Sequence, residues 1–217
     1  MNFDFLMNLI FPVACVSCTK NIPHGALCDE CLASIVLRNA SLESHDGYTL
    51  GAGTSYEIPA VQSLVRSLKF DHVRSAAVPL AQTLIAYARR LPIESTGAVV
   101  VPIPLSVRRF RERGFNQSVL IAKPFAESLA IPFVPGILTR PVHRKPQSET
   151  TSARERYENI RDCFAAHLPS AHLPRTIILV DDVATSGATF GEAVRTIRAA
   201  NGGSNVEKII ALAVARA

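Results

Sequence analysis

The chain has 217 residues, 48% of them hydrophobic, enough to bury a full core in one domain with a small appendage, and this excludes a disordered chain. Its net charge of +5 suits a polyanionic ligand: a nucleotide-like phosphate, a nucleic acid or an acidic lipid surface. With no Trp and 6% aromatic residues, it has little material for a single-strand binder built on stacked bases.

The opening stretch, MNFDFLMNLIFP, carries an acidic residue and no basic one before its apolar run, unlike a secretory signal. No apolar stretch approaches the ~20 residues needed to span a bilayer. The expectation is a cytoplasmic protein, where thiols stay reduced and clustered cysteines are read as metal ligands before disulfides. Four of the five cysteines fall within residues 15–31, as Cys15-Val-Ser-Cys18 and Cys28-Asp-Glu-Cys31. Each C-x2-C turns both thiolates toward one ion, and two such turns complete a tetrahedron for a structural Zn²⁺. A thiol redox pair and a four-thiolate iron–sulfur cluster are the alternatives.

Residues 39–56 are polar and glycine-containing and read as a linker followed by a short strand around Tyr48, Leu50 and Ala52. They set a domain boundary near residue 40, giving a zinc-ribbon-like segment at 1–40 and a main domain at 41–217. Ile58, Val61, Leu64, Val65 and Leu68 recur at helical spacing, as do Val78, Ala81, Leu84, Ile85 and Ala88. GAVVVPIPL, residues 97–105, then reads as a buried strand, followed by a basic loop and a helix carrying Val119, Ala122, Phe125, Ala126 and Leu129. The same order returns with the strand at 176–180, a small hydroxyl-rich turn, and a helix with Ala193, Val194, Ile197 and Ala200 that stops at Asn201-Gly202-Gly203. A last strand spans 209–215. Continuously apolar strands alternating with helices imply an α/β fold with a parallel sheet covered on both faces. Ligands bind such sheets at the carboxyl ends of the strands, where strand order reverses.

The second turn reads VDDVATSGATF. A strand giving way to a helix leaves free N–H groups aimed at one spot. Thr185, Ser186, Gly187, Ala188 and Thr189 occupy it, with Gly187 permitting close approach and three hydroxyls adding donors. A monophosphate fits there. Asp181 and Asp182 would repel that phosphate, so they call for a second chemistry beside it: hydroxyl pairs or Mg²⁺. A ribose 5-phosphate unit offers both ends. The plainer alternative is an aspartate pair capping a helix.

Before the other helix, Arg108, Arg109, Arg111 and Arg113 sit within six residues, followed by Gly114, Phe115, Asn116 and Gln117. Guanidinium forks match phosphate oxygens bidentately, although a solvated basic surface or a nucleic-acid patch would share this composition. Residues 141–160 are polar, charged and too long for an ordinary connector. They read as a loop able to order over a ligand, or as plain surface. Cys163 reads as a buried small hydrophobe. Among the histidines only His143 lies near that loop.

An aliphatic strand, two acids, two further residues and T-[ST]-G-x-T resemble the phosphoribosyl-pyrophosphate (PRPP) loop of type I phosphoribosyltransferases. VVVPIPLSVRRFRERGFNQS (99–118), QSETTSARERYENIRDCF (147–164) and the CxxC pair together resemble the ComF (competence protein F) family over nearly the whole chain; Ser186 stands where the pattern usually has a second Thr. The resemblance implies a type I phosphoribosyltransferase-like sheet preceded by a zinc knuckle, and a Mg²⁺-dependent site for PRPP or a related phosphoribosyl ligand. In it Asp181, Asp182 and Arg113 would be catalytic. Residues 185–189, Arg108, Arg109, Gly114, Asn116 and Gln117 would bind substrate, and Arg156 would join them from the long loop, where Arg156 and Asn159 match an R-x-x-N pattern. It implies transfer of phosphoribose to a base with pyrophosphate release, and a part in DNA uptake and natural transformation. The implied partners are a helicase-like protein, a single-strand DNA-processing protein and single-stranded DNA. The alternative is a non-catalytic PRPP- or nucleotide-sensing protein, or an adaptor that binds DNA or other proteins.

Overall fold

The structure, a computed structural model, describes residues 13–141, 163–168, 174–200 and 206–217. The expected stop of the last helix at Asn201-Gly202-Gly203, and most of the long polar loop with Gln147, Arg154, Arg156, Asn159 and His143, lie outside the described residues. The chain opens with a small hairpin, β1 (Val13–Ala14) and β2 (Asn21–Ile22), and a short helix α1 (Asp29–Ala33). Next come β3 (Glu43–His45), β4 (Tyr48–Ser55), α2 (Pro59–Phe70), α3 (Ala77–Ala88), β5 (Ala98–Pro102), α4 (Val107–Arg113) and α5 (Gln117–Ser128). A two-stranded ribbon, β6 (Leu138–Thr139) and β7 (Ala165–Ala166), precedes β8 (Thr176–Ala184), α6 (Ala188–Ala200) and β9 (Lys208–Arg216).

The central sheet has the order β3-β4-β9-β8-β5, with β4, β9, β8 and β5 parallel and β3 antiparallel on the edge. Its strands read as continuous apolar runs because both faces are covered. Ile178, Val180, Ile210 and Leu212 join α2, α3 and α5 in one core layer, while Ile177, Leu179, Ile209 and Ala211 join α6 in the other. This is the α/β architecture of a parallel sheet flanked by helices and preceded by a four-cysteine knuckle that the sequence predicts.

Several local expectations need adjusting. The stretch 39–56 holds the expected strand around Tyr48, Leu50 and Ala52, but less linker than expected: Asp46-Gly47 turns a further strand, β3, onto β4, with Gly47 at φ +78°, and β4 runs for 8 residues as an inner strand. Its glycines are there for packing. A Cβ on Gly51 would come within 2.9 Å of both Leu42 and the Tyr87 hydroxyl, so α3 could not lie as close. On α2 the expected stripe is the buried one, with Val61, Leu64, Val65 and Leu68 almost wholly enclosed, each worth about 1.5–3 kcal/mol of burial. On α3 Ala81, Leu84 and Ala88 are buried as expected and Ile85 packs on the core, Leu80 and Tyr87 widen the buried face, and of the expected stripe only Val78 is left exposed. Cys163 is buried in the second core layer, as expected.

The connections explain where a ligand can enter. After β5 the chain crosses by α5 and returns at Phe133, which bridges Val100 in parallel on the outer side of β5. After β8 it crosses by α6 over the opposite face to β9, on the inner side. The two crossovers leave in opposite directions, so the carboxyl ends of β5 and β8 diverge around a crevice.

Candidate functional site

The basic stretch after β5 is a helix and not the loop its composition suggests. Ser106 caps it by accepting from the Arg109 N–H at 3.3 Å, and Gly114 ends it in the left-handed conformation at φ +74°. Two residues on, Asn116 caps α5 through the Ser118 N–H at 2.9 Å, and its amide donates to the Ile103 carbonyl at 3.0 Å, tying the two loops together. Helical phase then sorts the arginines. Arg109 and Arg113, four apart, face the crevice, whereas Arg108 turns outward and pairs with Glu112 at 2.7 Å, with its side chain 64% exposed.

β8 runs past the expected 176–180 and takes in the acid pair, and the plainer reading of that pair as a helix cap does not hold. Asp181 and Asp182 still belong to β8 and are buried, with α6 beginning only at Ala188, so neither caps that helix. Each carboxylate has one oxygen fixed by the protein. Asp181 Oδ1 accepts from the Ser118 hydroxyl at 2.7 Å and the Asp182 N–H at 2.9 Å, and Asp182 Oδ1 accepts from the Val183 N–H at 2.9 Å. Asp182 Oδ2 lies 2.6 Å from Lys69 Nζ, at the end of α2. The contact is an ion pair whose angles fall short of a hydrogen bond, leaving that oxygen without a hydrogen-bond partner among the described residues. Burial, reinforced by the neighbouring Asp182 charge, pushes the Asp181 carboxyl up to about 7, against the pull of Ser118 and Lys69.

These groups line a cleft of about 300 Å³ together with Gln117, Ser118, Phe70 and Thr189. Four cations, Lys69, Arg109, Arg113 and Arg140, face two acids in it. Arg113 donates to Gln117 at 3.0 Å, and burial followed by Arg109 repulsion holds its guanidinium below the usual value. Arg140, just after β6, has a buried Nε with no partner among the described residues and is likewise held down by burial. An anion in the cleft would relieve both. The turn at Val183–Phe190 encloses a smaller hollow of about 50 Å³ that shares Val183 and Thr189 with the cleft. Gly187 has φ +78°, and a Cβ there would meet the Tyr48 hydroxyl at 3.3 Å. The Ser186 hydroxyl faces the Ala188 N–H at 3.4 Å.

Of the residues singled out in sequence, Asp181, Asp182, Arg109, Arg113, Gln117 and Thr189 meet in the cleft, and Thr185, Ser186, Gly187 and Ala188 form the adjoining hollow. Gly114 and Asn116 shape the helix ends without lining it, Arg108 points away, and Arg156 lies outside the described residues. Lys69, Ser118 and Arg140 were not singled out. A lone cation far from any motif carries no signal in sequence, whereas Ser118 is the last residue of the 99–118 stretch that carries the family resemblance.

At the amino end, the Sγ atoms of Cys15, Cys18, Cys28 and Cys31 lie within 4.8 Å of one another, with Cys18 and Cys28 at 3.6 Å. A tetrahedron with metal–sulfur bonds of about 2.3 Å has edges of about 3.8 Å. The thiols do not ionise alike. Burial raises Cys15, but backbone N–H groups of Cys18, Cys28 and Ser17 outweigh it and bring the thiol down to about 6. Cys31 is pushed up to about 12, first by burial and then by the Cys18 and Cys28 sulfurs. Four thiolates therefore need a cation among them, and the donor set could hold a zinc ion. Among the described residues no helix is long and apolar enough to cross a membrane.

No protein-family model matches the chain. It is similar to the DNA utilization protein YhgH of Salmonella typhi, 34% identical over 155 residues, which are 69% of this chain and 65% of that protein. The matched stretch thus spans just under two thirds of that relative. It is also similar to Competence protein F of Haemophilus influenzae, 27% identical over 85% of this chain and 83% of that one. Competence protein ComFC of Bacillus subtilis is 34% identical over 46% of this chain and 38% of its own. Among solved structures, an adenine phosphoribosyltransferase from Leishmania donovani aligns over 68% of both chains at 14% identity and a TM-score of 0.29, too distant to argue from. These similarities in sequence support the ComF (competence protein F) family for the chain.

Proposed function

We propose that the protein binds PRPP with Mg²⁺ in this cleft and transfers the phosphoribosyl group to a nitrogenous base. The observation that carries the reading is the convergence of four cations and two buried acids beside a glycine turn, at the reversal point of the sheet. The 5-phosphate sits in the turn at 185–189, where the first N–H groups of α6 and the hydroxyls of Thr185, Ser186 and Thr189 donate to it. The ribose hydroxyls donate to the cleft-facing oxygens of Asp181 and Asp182. The pyrophosphate lies against Arg109, Arg113 and Arg140. When bound, Mg²⁺ supplies further neutralisation of pyrophosphate charge, and the same carboxylates suit its water shell. In the transfer the C1–O bond breaks with its electron pair leaving on pyrophosphate, the C1–N bond forms, and the nitrogen's proton passes to water. The chain contributes positioning and fixed positive charge, with no covalent nucleophile.

At the level of the cell, the names of the competence and DNA utilization relatives support a role in DNA uptake. We assign residues 1–40 to a zinc knuckle that holds the amino segment or docks a partner, and 41–217 to the phosphoribosyltransferase-like unit, with Ala26 packed into the main core between them. The expected setting is the cytoplasm, with a helicase-like protein, a single-strand DNA-processing protein and single-stranded DNA as partners. A second reading, a PRPP or nucleotide sensor without catalysis, draws on Lys69, which already engages the Asp182 oxygen that a ribose hydroxyl would use.

Calorimetric titration of PRPP into the zinc-loaded protein, with and without Mg²⁺, tests the pocket, and pyrophosphate release with a panel of bases tests the chemistry. Mg²⁺-dependent binding with release supports transfer; binding without release supports the sensor. Absence of binding under either condition sinks both.

A further inference from the structure

Phe70 is the last residue of α2, and 67% of its surface is exposed although it lines the cleft. The Arg113 guanidinium carbon lies 5.7 Å from the ring centroid, so one face of the ring carries a cation. The residue before it, Lys69, is anchored on Asp182, which places Phe70 beside the acid pair. Among side chains otherwise charged or hydrogen-bonding, it offers a flat apolar surface. Two more apolar side chains, Val107 at 49% and Phe110 at 51% exposure, stand on α4, the helix whose Arg109 and Arg113 share the cleft.

We infer that Phe70 is the stacking platform for the nitrogenous base of the ligand. This rests on the sugar-phosphate reading of the cleft and adds to it the position and class of the base: a planar heterocycle lying on the open face of Phe70. Stacking needs a π-face with one side free, and with Arg113 over one face and most of the residue exposed, the other face is left to the ligand. An aromatic ring accepts purines and pyrimidines alike, so Phe70 gives affinity for a base without choosing which one. A protein partner seated on Phe70 would bury the mouth of the same cleft and exclude the ligand.

The test compares ribose 5-phosphate with the 5′-monophosphates of adenosine and cytidine, titrated into zinc-loaded wild type, Phe70→Ala and Phe70→Trp. The wild type is expected to bind the nucleotides about ten-fold tighter than ribose 5-phosphate. Phe70→Ala should remove that advantage while ribose 5-phosphate affinity stays within two-fold. The protein has no Trp, so Phe70→Trp introduces a single indole, whose emission should be quenched by the nucleotides and not by the sugar phosphate. Equal binding of all three ligands by wild type and Phe70→Ala, or a loss in Phe70→Ala that affects ribose 5-phosphate as much as the nucleotides, overturns the platform and leaves the sugar-phosphate reading standing. Nucleotide binding to Phe70→Trp without quenching does the same. Failure of wild type to bind any of the three overturns both.

Discussion

The knuckle and the cleft are both clusters of ionisable groups, yet they are assembled in opposite ways. The four thiols come from one short stretch held by two-residue strands and a five-residue helix, with Cys15, Ile22 and Cys28 as the buried centre. So small a core does little against the chain entropy of ordering it, and a bound ion would help to offset that cost. The cleft draws Lys69, Arg113, Ser118, Arg140 and Asp182 from separate elements of a sheet buried on both faces. Its geometry is held by the fold and does not depend on a ligand. A cluster made locally would lean on a bound ion, whereas a cluster made by topology is as stable as the domain.

The largest effect expected from this contrast is on the knuckle. Chelation, or Cys28→Ser, should take bound zinc from about one ion per chain to none, and remove amide-exchange protection from residues 13–33 while leaving β4, β8 and β9 protected. Metal affinities of structural thiolate sites correspond to roughly 10 kcal/mol. Concurrent loss of protection in the sheet would show that the knuckle is no local unit. In the cleft, Asp181→Asn with Asp182→Asn should weaken PRPP binding by about 100-fold, the loss of about 3 kcal/mol of charge-assisted hydrogen bonds, with Tm within a few degrees of wild type. Unchanged binding in calorimetry would remove the acids from the site. Smaller again is the sorting of the arginines. Arg113→Gln should weaken pyrophosphate binding about ten-fold, whereas Arg108→Gln should stay within two-fold; equal losses would mean that charge at a distance matters more than the phase of α4.

The smallest effect sharpens the view of the cleft as a fold-held site. Folding raises the Asp181 carboxyl from 3.8 to about 7, so the unfolded chain releases that proton first. The contribution is therefore fully present below about pH 4 and is lost as pH rises toward 7. Because Asp182 shares the titration, the effect belongs to the acid pair and not to Asp181 alone. Asp181→Asn should flatten this dependence, so that its Tm gains on wild type between pH 5 and pH 8; parallel Tm curves would show that Asp181 is ionised throughout.

Much of this was legible in the residues. The CxxC spacing announced the thiol cluster, the aliphatic runs announced inner parallel strands, and Gly187 marked the turn after β8. The arginine stretch misled because α4 is short and has no apolar stripe, with Val107 and Phe110 both exposed, so its periodicity looks like that of a loop. Its caps, Ser106 and Gly114, were the available signal. The Asp46-Gly47 turn was likewise present in a stretch whose polarity suggested a linker. Phe70 and Arg140 carried no signal, because a single ring or guanidinium means nothing until its surroundings are known.

The sequence by itself determined what is local: which segments alternate as strand and helix, which four sulfurs lie close enough to share an ion, and where the backbone can turn tightly around an anion. Spacing along the chain sets those distances to within a few ångströms. Only the tertiary structure decided that Lys69 engages Asp182, that Arg109 and Arg113 rather than Arg108 face the acids, and that Arg140, with its Nε enclosed, shares their cleft. The physical reason is that crossovers leaving β5 and β8 in opposite directions open a crevice between those two strands, and residues remote in sequence become neighbours only when the sheet is wound that way.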